Sequence, residues 1–486
     1  MRARLSLLVA ALALGVGRPA TLAAQQASGI TSSLHLRLRP ELWDWFGDVA
    51  GDRYAFVGVQ ARGALLQQRP RWSWRVELQA PALLALPDDA VLPPPQGQLG
   101  LGGSYFAAND GAIDAASLVL RQAFVRIGRP PRQGGAAARL GRFEFNDGLE
   151  VVPTDATLAW LKRERISQRL IGVFGFSHVG RTFDGAHGTY DWGGRNATLL
   201  AVRPTQGAFD VDGWPDLDVG IGYGAFTIPM RTPRLTGDAR LFAAYYRDGR
   251  DDPSVVKADN RPQALRAADR DAIAISTLGA HWIESVHTGI GEIDVLLWGA
   301  AQLGEWGTQS HRGVAWATEL GWQPDSVPRL RPWLRAGWYR ASGDGDPTDD
   351  RHGTFFSMVP TPRLYARFPF YTLMNLDDVF GSLILRPGTQ VTTRVEAHHL
   401  RLADGDDLWY VGGGPFERTS FGYVGRPAEG RRQLAALFDA SVDWRVTSRW
   451  TLVAYGAIAT GGIVVRQLYP SGTRGRYAYL EAQFSR

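Results

Sequence analysis

A two-faced alternation of side chains recurs from near residue 33 to the end of this chain. His35-Leu36-Arg37-Leu38-Arg39 alternates apolar with basic residues, and Trp72-Ser73-Trp74-Arg75-Val76-Glu77-Leu78 alternates large apolar with polar ones. Ala478-Tyr479-Leu480-Glu481-Ala482-Gln483-Phe484 closes the chain in the same manner. Period two puts successive side chains on opposite faces of a strand. Trp and Leu on one face with Arg and Glu on the other suits a wall between lipid and water. Its repetition is the mark of a transmembrane β-barrel.

A chain of 486 residues could hold two or three soluble domains or one large barrel. The N-terminus favours the barrel. Arg2 and Arg4 precede an apolar run from Leu5 to Val16, too short to span a bilayer as a helix, and Ala23-Ala24 then lead into Gln25-Gln26. This order of charge, apolar core and small residues reads as a secretory signal over 1–24, leaving 25–486 as an outer-membrane barrel. No later segment has the ~18 or more uninterrupted apolar residues of a membrane helix, whereas a closed barrel crosses with every backbone group paired. The chain has no Cys, so the fold needs no disulfides in an oxidising compartment. The net charge of +5 is carried almost wholly by Arg, with Lys only at Lys162 and Lys257. The simplest reading of that bias in bulk is a GC-rich genome, which favours Arg codons. Arg is also the better two-point partner for carboxylates, so position must separate the readings.

The expected fold is all-β, a monomeric pore made of an antiparallel transmembrane barrel of about 18 strands. The strands are expected near 33–46, 53–66, 71–80, 116–127, 137–145, 165–177, 197–204, 217–228, 239–248, 271–282, 291–303, 313–322, 332–342, 377–386, 389–401, 434–444, 449–459 and 476–485. The connectors alternate as such barrels require, short on the periplasmic side and long outside. Gln67 to Pro70, Pro387-Gly388 and Arg445 to Ser448 are short. Segments 81–115, 343–376, 402–433 and 460–475 are long. Segment 178–196 breaks the rule, so either the sixth strand is misplaced or a periplasmic loop folds back at the pore. Trp43, Trp45, Trp72, Trp74, Trp322, Trp338, Trp444 and Trp450 fall at expected strand ends, where interface girdles form.

Alternation assigns Arg37, Arg39, Gln60, Arg62, Arg71, Arg75, Arg335 and Arg394 to the lumen, with Glu77, Glu292, Asp294, Glu319, Glu396, Asp439 and Glu481 among them. Rings of Arg favour anions, and interspersed acids keep a polyanion from sticking. Taken one at a time, each Arg reads more readily as half of an ion pair that stiffens the wall. Taken as a set, they read as a charged, water-filled channel.

Arg139-Leu140-Gly141-Arg142-Phe143-Glu144-Phe145-Asn146-Asp147-Gly148, followed by Arg181-Thr182-Phe183-Asp184-Gly185, resembles the alginate-export family of outer-membrane barrels. Ser342-Gly343-Asp344-Gly345-Asp346, Thr354-Phe355-Phe356, Pro360, Asn375-Leu376 and Asp406-Asp407-Leu408-Trp409-Tyr410 continue the likeness. The chain departs from the family at Phe143, where Gln is usual, and at Phe368-Pro369-Phe370-Tyr371. The resemblance implies an eighteen-stranded barrel whose Arg-lined, anion-selective pore exports a uronic-acid polysaccharide. It implies Arg142 and Arg181 at the constriction, with Glu144 and Asp184 as their ion partners. Outer-membrane lipid, an anionic polysaccharide or other anionic solute, and periplasmic export components are then the expected partners, with no nucleic acid and no cofactor.

Asp344, Asp346, Asp349 and Asp350 could offer oxygens to Ca²⁺ but lack the spacing and terminal Glu of an EF-hand; a solvated acidic loop is the simpler reading. His398 and His399 adjoin on a strand and point to opposite faces, which argues against a shared metal. The chain has no nucleophile elbow, HExxH or P-loop. A general or substrate-specific porin is the competing reading, and an outer-membrane hydrolase the third.

Overall fold

The computed structural model describes residues 29–47, 49–129, 134–361 and 363–486. The expected signal segment 1–24 lies outside them. Eighteen long strands form one antiparallel ring: β1 Ile30–Asp44, β2 Arg53–Gln68, β3 Trp72–Leu84, β4 Val119–Gly128, β5 Gly135–Phe143, β6 Phe183–Trp192, β7 Arg195–Pro204, β8 Val219–Arg231, β9 Leu235–Asp248, β10 Ile273–Thr288, β11 Gly291–Trp306, β12 Gln309–Gln323, β13 Trp333–Ala341, β14 Leu376–Leu385, β15 Val391–Leu402, β16 Gln433–Arg445, β17 Trp450–Gly461 and β18 Arg474–Ser485. Each pairs with the next, and β1 returns to β18 with Leu36 opposite Phe484 and Trp43 opposite Tyr477. Closure leaves the ring no free edge, the condition for a sheet to span a bilayer.

Alternation decides the two faces. On β18, Tyr477, Tyr479 and Glu481 are buried inside while Leu480 is exposed outside. Trp72, Trp322, Trp444 and Trp450 are exposed on the outer face, all within the last two residues of their strands at the short-turn rim. They form the girdle expected at a headgroup level. Trp43 and Trp45 do not join it. They are 3% and 2% exposed, and Trp43 packs inward 4.2 Å from Tyr477. Strand-end position could not distinguish the two groups; the phase of alternation does.

The sixth strand is not at 165–177. A short helix, α1 Ala156–Leu161, runs into a single π-turn at 162–166, and the following residues enter the lumen. The sixth strand is Phe183–Trp192, which answers the irregularity at 178–196. Its turn is the two-residue Gly193-Gly194, with φ of +54° and +81° and Trp192 opposite Arg195. Positive φ at both positions is what a tight hairpin matched to strand twist requires. The long connector at this place is therefore 144–182, on the same rim as the other long loops.

Candidate pore and its constriction

The lumen is not an open tube. Segments 144–182 and 342–375 both fold into it and pair with one another. Gly172 N–H donates to Val359 O at 2.8 Å, Val359 N–H to Leu170 O at 2.9 Å and Thr361 N–H to Gln168 O at 2.9 Å. Leu170, Ile171, Phe174, Phe355, Phe356, Met358, Val359, Phe368 and Phe370 are almost fully buried within the ring. Hydrophobic burial holds the two segments together there.

Charge pairs tie this filling to the wall. Arg165 donates to Glu396 at 2.6 Å and to Leu364 O at 2.6 Å, and lies 3.5 Å from Glu319. Arg335 joins Glu319 at 2.9 Å and also bonds Asp294. Arg394 meets Glu164 at 3.3 Å and Glu396 at 3.8 Å. Lys162 reaches Asp238 at 2.7 Å, and Arg240 reaches Glu150 at 2.8 Å. Arg335 and Arg165 are hydrogen-bonded and shielded from water, as buried charges must be. Their geometry is that of anchors rather than of groups facing a passing solute.

Among the described residues, two cavities bear on the path through the lumen. The inner one, about 310 Å³, opens toward the short-turn rim between the filling and β1, β16, β17 and β18. Its wall carries Arg37, Arg39, Arg163, Arg363 and Arg367 against Glu164, Asp443 and Glu481, an excess of two positive charges. Arg39 donates to Glu481 at 2.6 Å and to Phe176 O at 2.9 Å, with Phe176 and Tyr479 stacked on its guanidinium. Arg37 donates to Gly175 O at 2.8 Å and also to Ser177 O. Arg367 bonds the Tyr479 hydroxyl at 3.0 Å. The outer cavity, about 120 Å³, lies among the long loops and is lined by Trp45, Phe209, Phe416, Glu417 and again Arg363.

Arg363 thus lines both cavities. It lies against the Phe176 ring at 5.0 Å. Its Nε has no hydrogen-bond partner, and it pairs with no carboxylate among the described residues. Alternation could not find Arg363, Arg367 or Arg163, because none of them is on a strand.

Beside the inner cavity, Arg62 and Arg121 share Glu144 at 3.2 and 2.9 Å, and Arg75 bonds Glu77 at 2.6 Å. Glu144 therefore answers to Arg62 and Arg121, not to Arg142 or Arg181. Arg142 grips Asp184 with two bonds of 2.6 and 2.7 Å, but this pair is away from the lumen. Arg142 is in phase with the exposed Leu140 and directly opposite Ala123, in the row of the exposed Val125. The resemblance implied the constriction, but the register sets Arg142 on the outer face near the loop rim, where it also reaches Trp214 O at 2.8 Å. Arg181 is 1% exposed and donates to Pro415 O at 3.3 Å and to Gly413 O at 2.5 Å. It clasps the 403–432 loop and has no carboxylate partner among the described residues, so Asp184 is not its ion pair.

The acidic loop is turned on itself. Thr348 N–H donates to Asp346 and Arg351 N–H to Asp349, both within their own turns. Among the described residues no group of three or more His, Asp or Glu is arranged to hold a metal ion. Asp344 is instead buried beside Asp407, which accepts from Asp344 N–H at 3.0 Å. Burial, and then the Asp407 charge, push the Asp344 carboxyl up to about 7. Burial likewise raises Asp407 to about 6. At the outer cavity, burial and the neighbouring Asp210 and Asp110 raise Glu417 to about 7, and burial raises Asp210 to about 6.

Residues 99–471 match the sequence model described as alginate export. The chain belongs to the alginate export family. Among solved structures, it is similar to OccK9 (OpdG) of Pseudomonas aeruginosa, with a TM-score of 0.56 at 12% identity over 94% of this chain and 98% of that one. OpdK of the same organism, solved with vanillate, aligns with a TM-score of 0.56 at 8% identity over the same shares. A BenF-like porin of Pseudomonas fluorescens Pf-5 gives 0.56 at 9% identity, covering 94% of this chain and 99% of that one. No curated protein sequence matches the chain significantly. Family and barrel place this alginate-export protein in the outer membrane of a Gram-negative bacterium as a channel-type protein. Family and fold are those of channels, not of enzymes.

Proposed function

We propose that this alginate-export protein is a passive, anion-selective channel, and that its substrates are uronic-acid polysaccharides of the alginate type. The observation that carries the reading is Arg363, an arginine with no carboxylate partner among the described residues, between an outer cavity and an Arg-rich inner one. A solute carboxylate moving between the rims supplies the two-point partner that Arg363 lacks. In the inner cavity Arg37, Arg39, Arg163 and Arg367 continue the positive path, while Glu164, Asp443 and Glu481 keep any one station from holding a polyanion. Arg62 and Arg75 extend it along the wall. Family membership supports the polymer class, and a periplasmic synthesis or export component is the fitting partner.

The second reading is a channel for small organic anions. It is favoured by the size of the outer cavity, about 120 Å³ with both inward segments in place. Single-channel currents separate the two. Under the first reading, oligomannuronate or oligoguluronate added to one side blocks the current in a length-dependent way. Block by monomeric carboxylates with indifference to oligomers would establish the second instead.

A further inference from the structure

The outer surface carries a feature independent of the pore. A groove of about 430 Å³ crosses the lipid face of β16, β17, β18 and β1 just below the long-loop rim. Register defines it. One row across the strands reads Phe438, Ile458, Arg476, Asp44, Arg53, and the next row away from the loops reads Ala440, Gly456, Ala478, Leu42, Ala55. Gly456 and Ala478 form a low floor, with Phe438 and Ile458 rising on one side and Leu42 on the other. These three walls are each at least half exposed.

At the loop end of the groove the described charges are mostly positive. Arg53 and Arg476 both lean on Asp44, at 3.3 and 3.2 Å, yet their side chains remain 69% and 56% exposed. Arg474, on the same face two residues nearer the loops, is exposed as well. Among the described residues, two of these three arginines lean on the same Asp44 carboxylate, and no ion pair is seen for Arg474. The rim arginine Arg203 differs, since it has Asp216 and Asp218 within 3.6 and 3.4 Å.

We propose that this face is a binding site for a phosphorylated glycolipid of the outer leaflet, lipid A, with a phosphate held by Arg53, Arg474 and Arg476 and an acyl chain laid over Gly456 and Ala478. Long loops mark the external side of such barrels, so the arginines stand at the headgroup level of the outer leaflet. Guanidinium groups recognise phosphate oxygens by paired charge-assisted bonds, and an acyl chain gains by filling an apolar groove. The basic rim also selects an anionic lipid over a second copy of this face, which would bring like charges together.

Native mass spectrometry of the detergent-purified protein, after delipidation, tests this with purified lipid A as the probe. Wild type is expected to take up one lipid A. Arg474→Ala with Arg476→Ala should weaken uptake by about tenfold or more, as the loss of charge-assisted bonds implies. Gly456→Leu should weaken it comparably without touching a charge; a Cβ at Gly456 meets nothing within 4 Å, so the substitution fills the groove rather than the wall. Arg203→Ala should leave uptake unchanged. Uptake unaffected by both the Arg pair and Gly456→Leu would overturn the site. So would equal uptake of phosphatidylglycerol, or a dimer formed through this face in place of bound lipid.

Discussion

Arg165, on the segment between β5 and β6, donates to Glu396 of β15 at 2.6 Å inside the barrel. The bond pins the filling of the lumen to its wall, and removing one partner of such a buried pair typically costs about 3–5 kcal/mol. Glu396→Ala should therefore loosen segment 162–172. Hydrogen exchange should speed there, and single-channel conductance should rise with more open-state noise. A variant with unchanged conductance and exchange would show that the segment does not limit the pore.

Arg142 and Asp184 give the contrasting case. Their two-point pair faces outward, near Trp214 O. Arg142→Ala should reduce stability by roughly 1–3 kcal/mol, as expected for a partly buried charge pair losing its bonds. It should leave ion selectivity and conductance at wild-type values. A shifted reversal potential in this variant would return Arg142 to the conduction path.

The Asp344–Asp407 contact joins the 342–375 and 403–432 segments. Their carboxyls stand at about 7 and about 6, above the 3.8 of the free group. A carboxyl raised in the folded state binds its proton more tightly there than when unfolded. Its contribution to stability is full below about pH 4 and is lost as pH rises through 6 to 7. Protection of these loops from hydrogen exchange should fall between pH 5 and pH 8, and Asp344→Asn should flatten that change. Equal protection at both pH values in the wild type would contradict the coupling.

Glu417 and Asp210 lie at or beside the outer cavity with carboxyls raised to about 7 and about 6. Both are mostly protonated at pH 5 and charged at pH 8. Negative charge appearing at the mouth should lower anion preference as pH rises across that window. Glu417→Gln should remove most of the change, measured as the pH dependence of the zero-current potential. A pH response identical in the variant would place its origin elsewhere.

The wall was legible in the sequence because alternation and burial are the same physics: a side chain's phase decides whether it meets lipid. Seventeen of the eighteen expected strands coincide with observed ones to within a few residues. The exception is instructive. Arg165 to Phe176 alternates well enough to imitate a strand, while the true β6 is Gly-rich, with Asp184, Gly185, Gly188 and Asp191 diluting its pattern. Arg37, Arg39, Arg335 and Arg394 lie on the inner phase of their strands, where each meets a carboxylate. Phase could not say whether an inward Arg meets water or another segment, because that depends on long loops folding back. Hence Arg335 emerges as an anchor, and Arg363, on a loop with no periodicity, went unseen. The family-like block drew attention to Arg142 through its motif, whereas its register with Ala123 sets it on the outer face.

Under the proposed function, anions cross where Arg363 lines both cavities. A unit charge about 4 Å from a passing ion is worth roughly 1 kcal/mol even at the dielectric of water, or about fivefold in relative permeability. The direct measurement is the zero-current potential of the reconstituted protein in a planar bilayer under a KCl gradient, for wild type and Arg363→Glu. Chloride should be preferred over potassium in the wild type, with the preference reduced by at least about fivefold or reversed in the variant. A cation-selective wild type, or a variant with unchanged selectivity, would contradict the proposed function.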